Sequence, residues 1–291
     1  FNADMRGKKG SEYEGGHRVP FFVRWPAGGL VGGRDVDQLT AHVDILPTFI
    51  NLAEVAKPDG PPIDGTSLVP ILKGDKDALR DRTLFVHSQR IPYPEKWRKS
   101  AVMRERWRLI NGVELYDLEA DPAQESDVAA DHSDVVEELR RSYEGWWTSL
   151  STVFDEDVRI AIGTEHEPRT QLHAHDWHAT GDTEQERPPW HQRHLRDGLI
   201  KNGSWSLDVR KAGEYEVTLR RWPDHVEGSI EATKARLKVG RFDESLPLAS
   251  SATEVTFHVT LEEGSVSLQT WLTLTDGQTR GAYFVYLKYL S

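Results

Sequence analysis

Met5-Arg6-Gly7-Lys8-Lys9-Gly10-Ser11-Glu12-Tyr13-Glu14-Gly15-Gly16-His17-Arg18-Val19-Pro20 runs directly into Phe21-Phe22-Val23-Arg24-Trp25-Pro26, and these residues decide how the first half of the chain is read. Four cations, Arg6, Lys8, Lys9 and Arg18, crowd into a chain of net charge −11. The glycines between them let a backbone approach a ligand closely. Such a loop suits a tetrahedral oxyanion, with Lys supplying a compact point charge and Arg a two-pronged donor. A solvated turn with surface cations fits the same residues. Behind it, Arg18–Trp25 is short, apolar and β-rich with little polar alternation. That predicts a strand covered on both faces, as in the parallel sheet of an α/β domain, with Pro20 among its first residues.

Downstream, Val43, Leu46, Phe49, Ile50 and Ala53 recur at helical spacing, with Asp44 favourable in the first turn. A second helical piece, Ser67–Leu72, stops at Gly74. Short strands follow at Thr83–His87, Ser100–Met103, Trp107–Ile110 and Glu114–Asp117, and Asn111-Gly112 is a hairpin signal between two of them. Ser133 is expected to cap a helix through Val136, Leu139, Tyr143 and Trp146. From about Ser151 helices disappear. Period-two alternation takes over in Trp205/Leu207/Val209, Tyr215/Val217/Leu219, Leu237/Val239, Val255/Phe257/Val259, Val266/Leu268 and Tyr283/Val285/Leu287. That pattern predicts an antiparallel sandwich of jelly-roll type. The expected organisation is an α/β domain ending in a small antiparallel subdomain over residues 1–154, then an all-β sandwich over 155–291. Glu165–Gly198, rich in His and Trp, reads as a long ordered loop.

Composition narrows the function. The 291 residues accommodate about two domains. Charged residues make up 29% and mean hydropathy is −0.59, and no stretch approaches the roughly 18 apolar residues of a membrane span. With 47 acidic against 36 basic residues, a nucleic-acid binder relying on a broad positive field is disfavoured. Cys is 0, which removes disulfides, thiolate metal sites and a cysteine nucleophile. The chain opens at Phe1 without an export signal, which reads as an internal cut in a longer polypeptide.

Residues 5–74 resemble the C-terminal part of the sulfatase catalytic domain, within the alkaline-phosphatase-like superfamily. The resemblance runs through Arg6-Gly7-Lys8-Lys9-Gly10, Tyr13-Glu14-Gly15-Gly16, Arg18-Val19-Pro20 and Val23-Arg24-Trp25-Pro26. It continues in Ala41-His42-Val43-Asp44-Ile45-Leu46-Pro47-Thr48 and Asp64-Gly65-Thr66-Ser67-Leu68. Glu114-Leu115-Tyr116-Asp117-Leu118 and Asp121-Pro122 look like the family's closing subdomain, and the remainder resembles the accessory β-domain of some bacterial sulfatases. The family hydrolyses sulfate esters with an aldehyde hydrate (formylglycine) made from Cys or Ser and with a divalent cation, usually Ca²⁺. The resemblance gives Lys9 the catalytic role of binding sulfate and stabilising charge on the oxygen that leaves sulfur. It places His42 and Asp44 away from the metal, so they read as helix-start residues.

The nucleophile motif, the metal-binding Asp and Asn pairs and the leaving-group His of the family are missing here. The resemblance therefore implies an inactive later portion whose Ca²⁺ ligands lie elsewhere, with the N-terminal half as a separate chain one source of them. It implies a sulfated small molecule or glycan as partner, neither nucleic acid nor membrane, and a periplasmic or secreted setting. His17, His87, Arg90, His175, His178 and His191 are the candidate substrate-binding residues. His173-Ala174-His175-Asp176-Trp177-His178 also has the donors for a metal, or serves structure alone. From another functional class, a non-catalytic carbohydrate-binding module fits these residues taken by themselves.

Overall fold

In the computed structural model, residues 2–57, 59–89, 91, 93–178 and 188–291 are described. The chain divides into two compact units, Phe1–Val153 and Phe154–Ser291. The first contains the single helical turn α1 (Glu14–His17) and two short helices, α2 (Ile45–Leu52) and α3 (Val69–Lys73). A meander follows: β1 (Thr83–His87), β2 (Ser100–Arg104), β3 (Trp107–Ile110) and β4 (Glu114–Asp117), each strand antiparallel to the next. Asn111 (φ 51°) and Gly112 (φ 72°), both at positive φ, are the central residues of the β3–β4 turn, which the Val113 amide closes on the Ile110 carbonyl (2.9 Å).

The sheet is apolar on both faces, and each face has its own cover. Val102, Leu109 and Leu115 pack against Val136, Leu139 and Tyr143 of helix α4 (Ser133–Ser151). On the opposite face, Ala101, Met103, Ile110 and Tyr116 pack against Tyr13 and Leu39. The segment carrying the cationic loop is thereby laid on the sheet. Ser133 is the first helical residue rather than its cap; His132 holds the cap position without a side-chain hydrogen bond.

The Arg18–Trp25 run corrects the sequence reading, because it forms no strand. Trp25 makes only an isolated bridge to Leu30, and Phe22 is 91% exposed. An apolar run becomes a buried strand only when neighbouring strands satisfy its amides, and no described strand lies beside this one. The helices after it are tied down by one carboxylate. Asp44 is fully buried; its oxygens accept from the Ala41 and Thr66 amides (2.8 and 2.9 Å) and from both Arg82 Nη atoms (2.9 Å each).

The second unit holds ten strands among its described residues: β5 (Ile160–Ile162), β6 (Arg169–His173), β7 (Ser204–Val209), β8 (Gly213–Arg220), β9 (Lys234–Val239), β10 (Phe242–Pro247), β11 (Glu254–Leu261), β12 (Gly264–Thr273), β13 (Thr279–Arg280) and β14 (Phe284–Tyr289). One sheet runs β10-β9-β12-β7-β5 with β13 beside β12; the other runs β11-β8-β14-β6. A single core draws Trp205, Leu207, Val209 and Leu268 from the first sheet and Tyr215, Val217, Leu219, Phe257 and Val285 from the second. Those are the inward positions of the period-two runs.

Three details depart from expectation. β5 pairs with β7 in parallel, not antiparallel. The Glu165–Gly198 stretch contains β6, a 3-10 turn at Ala174–Asp176 and a short helix α5 (Gln192–Arg196), so it is not all loop and helices do not vanish after Ser151. Tyr286, out of phase with Val285 and Leu287, is buried as well. The Asp224 amide donates to its Oη (2.9 Å) and the Arg169 guanidinium lies 4.1 Å over its ring.

Candidate functional site

The cationic loop is held to the sheet by two clamps. In the first, Arg6 Nη1 donates to Tyr116 Oη (2.7 Å) and to the Gln124 carbonyl (3.1 Å), while its guanidinium lies 4.0 Å over the Tyr13 ring. Tyr13 and Tyr116 both donate to Glu114 Oε2, at 2.9 and 2.6 Å. Burial, reinforced by those bonds to a carboxylate, pushes the Tyr13 phenol up to about 12 and raises Tyr116 as well. Both rings therefore stay protonated donors at neutral pH.

The second clamp is buried. Arg108 Nε donates to Glu14 Oε1 (2.7 Å), and the Glu14 amide donates to Gln124 Oε1 (2.8 Å). Glu14 and Arg108 are only 2% and 6% exposed. Arg18 Nη1 and His17 Nε2 approach the same carboxylate at 3.7 and 3.9 Å. His17 Nε2 is buried without a hydrogen bond, and burial lowers the ring's pKa, so His17 sits neutral beneath the loop. The backbone is pressed together here: the Gly15 amide donates to the Arg6 carbonyl (2.8 Å), and a Cβ at Gly16 would lie 2.1 Å from the Ser11 carbonyl oxygen. Only glycine fits at position 16.

These clamps sort the four cations. Arg6 and Arg18 face carboxylates and hold the loop in place. Lys9 lies in the exposed turn at Lys9–Gly10 with Lys8 beside it, and among the described residues neither ammonium has an ion-pair partner. Beside the loop, Asp4, Arg6, Ala123, Gln124 and Glu125 line an open pocket of about 430 Å³.

The remaining predicted residues lie in several different settings. His87 is half-buried in an aromatic cluster, 4.8 Å from the Trp146 ring and 6.2 Å from Trp147, with Nδ1 held by Gln89 at 2.7 Å. Burial lowers its pKa. Arg90 lies outside the described residues. His175 is exposed in its 3-10 turn, and His178 is exposed 3.8 Å from Asp157. His191 Nδ1 accepts from the Arg193 amide (3.0 Å) at the start of α5. Among the described residues, no three His, Asp or Glu side chains are grouped to hold a metal ion. The described side chains therefore do not fit the divalent cation that the resemblance implies.

The residues that sequence reasoning missed are those of the clamps: Arg108, Glu114, Tyr116 and Gln124. One signal was legible for Arg108, a charged residue inside the apolar strand Trp107–Ile110, because such a charge requires a buried partner.

Residues 8–145 match the family described as N-sulphoglucosamine sulphohydrolase, C-terminal. They belong with the C-terminal part of the sulfatase family. Among curated relatives, steryl-sulfatase of Mus musculus is 36% identical over 102 residues, covering 35% of this chain and 16% of that protein. The N-acetylgalactosamine-6-O-sulfatase of Bacteroides thetaiotaomicron is 31% identical over 150 residues, covering 46% of this chain and 28% of its own length. The solved structure of Ps i-CgsB aligns at 25% identity with a TM-score of 0.43, over 49% of this chain and 31% of that one. The chain thus spans well under two thirds of the length of these proteins.

Proposed function

We propose that this chain is the later portion of a sulfuric ester hydrolase that cleaves O-sulfate esters of carbohydrates, with Lys9 gripping the sulfate. The observation that carries the reading is the free ammonium of Lys9 on a loop immobilised from both sides, within a sulfatase segment. A cation fixed where charge develops on the leaving oxygen lowers the barrier without reorganising during the reaction. Arg6, Glu14 and Arg108 hold that position. The nucleophile and metal ligands belong to the remainder of the sulfatase domain, which we take to cover the exposed apolar residues from Val19 to Phe49. Without that remainder the 291-residue chain turns over no sulfate ester.

A carbohydrate substrate is supported by exposed polar rings at His175, His178 and His191, and by a relative named for its action on N-acetylgalactosamine 6-O-sulfate. The second unit, two sheets around one core, is read as a β-sandwich accessory module. No described helix is long and apolar enough to cross a membrane, and the proposed setting is the periplasm or the exterior. The test is Lys9→Ala in the complete enzyme, assayed on a chromogenic sulfate ester and on a 6-O-sulfated sugar. The expected loss is orders of magnitude in kcat with the melting temperature unchanged; near-wild-type turnover removes Lys9 from its role.

A further inference from the structure

The second unit presents a tryptophan that its fold does not use. Trp190 is 66% exposed, whereas Trp177 and Trp205 of the same unit are enclosed in the core. Its ring meets the rings of His191 and His194 edge-on, with centroids 5.7 and 5.4 Å away. Arg193 and Arg196 follow on α5, three residues apart and so on neighbouring positions of one helix face. Both are exposed, and among the described residues neither side chain has an acidic partner. Arg169, Arg210, Arg220, Arg221 and Arg236 of the same unit each hold a carboxylate.

The platform is rigidly mounted. Leu195 packs on the sandwich core, buried Arg221 donates to the Arg196 carbonyl (3.0 Å), and Tyr283 donates to the Leu199 carbonyl (2.7 Å). Because His191 Nδ1 accepts from the Arg193 amide, the neutral ring carries its proton on Nε2 and offers it as a donor. Among the described residues Asp197 is the acidic residue next to this cluster, and the stretch from Trp190 to Asp197 carries one net positive charge in a chain of −11.

We propose that Trp190, His191, Arg193 and Arg196 form a docking surface for a sulfated oligosaccharide. The apolar face of a pyranose covers the exposed indole, the guanidiniums pair with sulfate through two-pronged hydrogen bonds, and the His191 Nε2–H meets a hydroxyl. Exposed aromatic area beside arginines that no described carboxylate neutralises is the chemistry of a ligand both ring-faced and anionic, and trimming either component weakens it. The choice of a sulfated sugar rests on the proposed function; the surface itself does not.

Calorimetric titration of the 291-residue chain with a 6-O-sulfated galactosaminoglycan tetrasaccharide, and with its desulfated counterpart, tests this without requiring catalysis. The sulfated sugar is expected to bind at least tenfold more tightly than the desulfated one. Trp190→Ala should weaken both sugars at least tenfold. Arg193→Ala with Arg196→Ala should erase the preference for sulfate, and Lys234→Ala, an exposed cation elsewhere on the same unit, should leave affinity within twofold. Absence of binding, unchanged affinity in Trp190→Ala, or a preference for sulfate that survives the loss of both arginines, each overturns the proposal. Binding that survives while the complete enzyme fails to cleave sulfate esters overturns the hydrolase reading and leaves this surface standing.

Discussion

In the second unit, Leu207, Leu237, Leu268 and Val285 are wholly enclosed, whereas in the first unit Phe22 is 91% exposed, Val19 75% and Phe49 63%. Both halves are rich in apolar residues, so the contrast lies in what is available to cover them. Two sheets bury each other's inward residues around one core. The four-stranded sheet of the first unit is covered by α4 and by Tyr13 and Leu39, while Val19, Phe22 and Phe49 remain exposed. Apolar side chains left exposed in such number contrast with the enclosed residues of the second unit. A folded element and an element that completes something else can have equally apolar sequences.

The contrast can be attacked by substitution. The largest effect is expected where the exposed segment is nevertheless anchored: Arg82→Ala leaves the fully buried Asp44 carboxylate without its bidentate partner and should cost about 3–5 kcal/mol. Denaturant unfolding monitored at the first unit checks it, and a cost below about 1 kcal/mol would deny Asp44 its anchoring role. In the second unit, Leu268→Ala should cost about 2–5 kcal/mol, as for other enclosed leucines. A smaller effect is expected from acid. His17 and His87 both have folded pKa values lowered by burial, so the stability they contribute is present above the ordinary value of 6.5 and is lost as pH falls through the folded values. Hydrogen-exchange protection across residues 83–117, taken relative to the intrinsic amide rate at each pH, should therefore fall below pH 6.5, and His17→Gln with His87→Gln should flatten that dependence. The smallest effect is Phe22→Ser, expected to shift stability by less than about 0.5 kcal/mol while reducing binding of a hydrophobic dye. A core-sized loss there would show that Phe22 is already buried in solution.

The sequence made the second unit's core legible because alternation in a two-sheet core maps directly onto burial. Tyr286 broke that rule only because a segment around Asp224 folds over the opposite face, a non-local event without a period. The meander was legible from strand length and the Asn111-Gly112 turn. Arg18–Trp25 was misread because local pattern reports suitability for a strand, while strand formation depends on neighbours. At the candidate site, the cations and glycines could be found by eye. The division of labour among the cations could not, because it is set by Glu114 and Arg108, about a hundred residues downstream.

The 2.1 Å separation between a Cβ built at Gly16 and the Ser11 carbonyl oxygen means that main chain packs against main chain there, in addition to the side-chain clamps. The exposed Lys8 side chain can then be exchanged with little displacement of the neighbouring ammonium, whereas a single methyl group added at position 16 would have to push the Ser11 backbone aside. A scaffold of that sort separates recognition from aim, so the groups that choose a ligand can be redrawn without re-pointing the charge that acts on it.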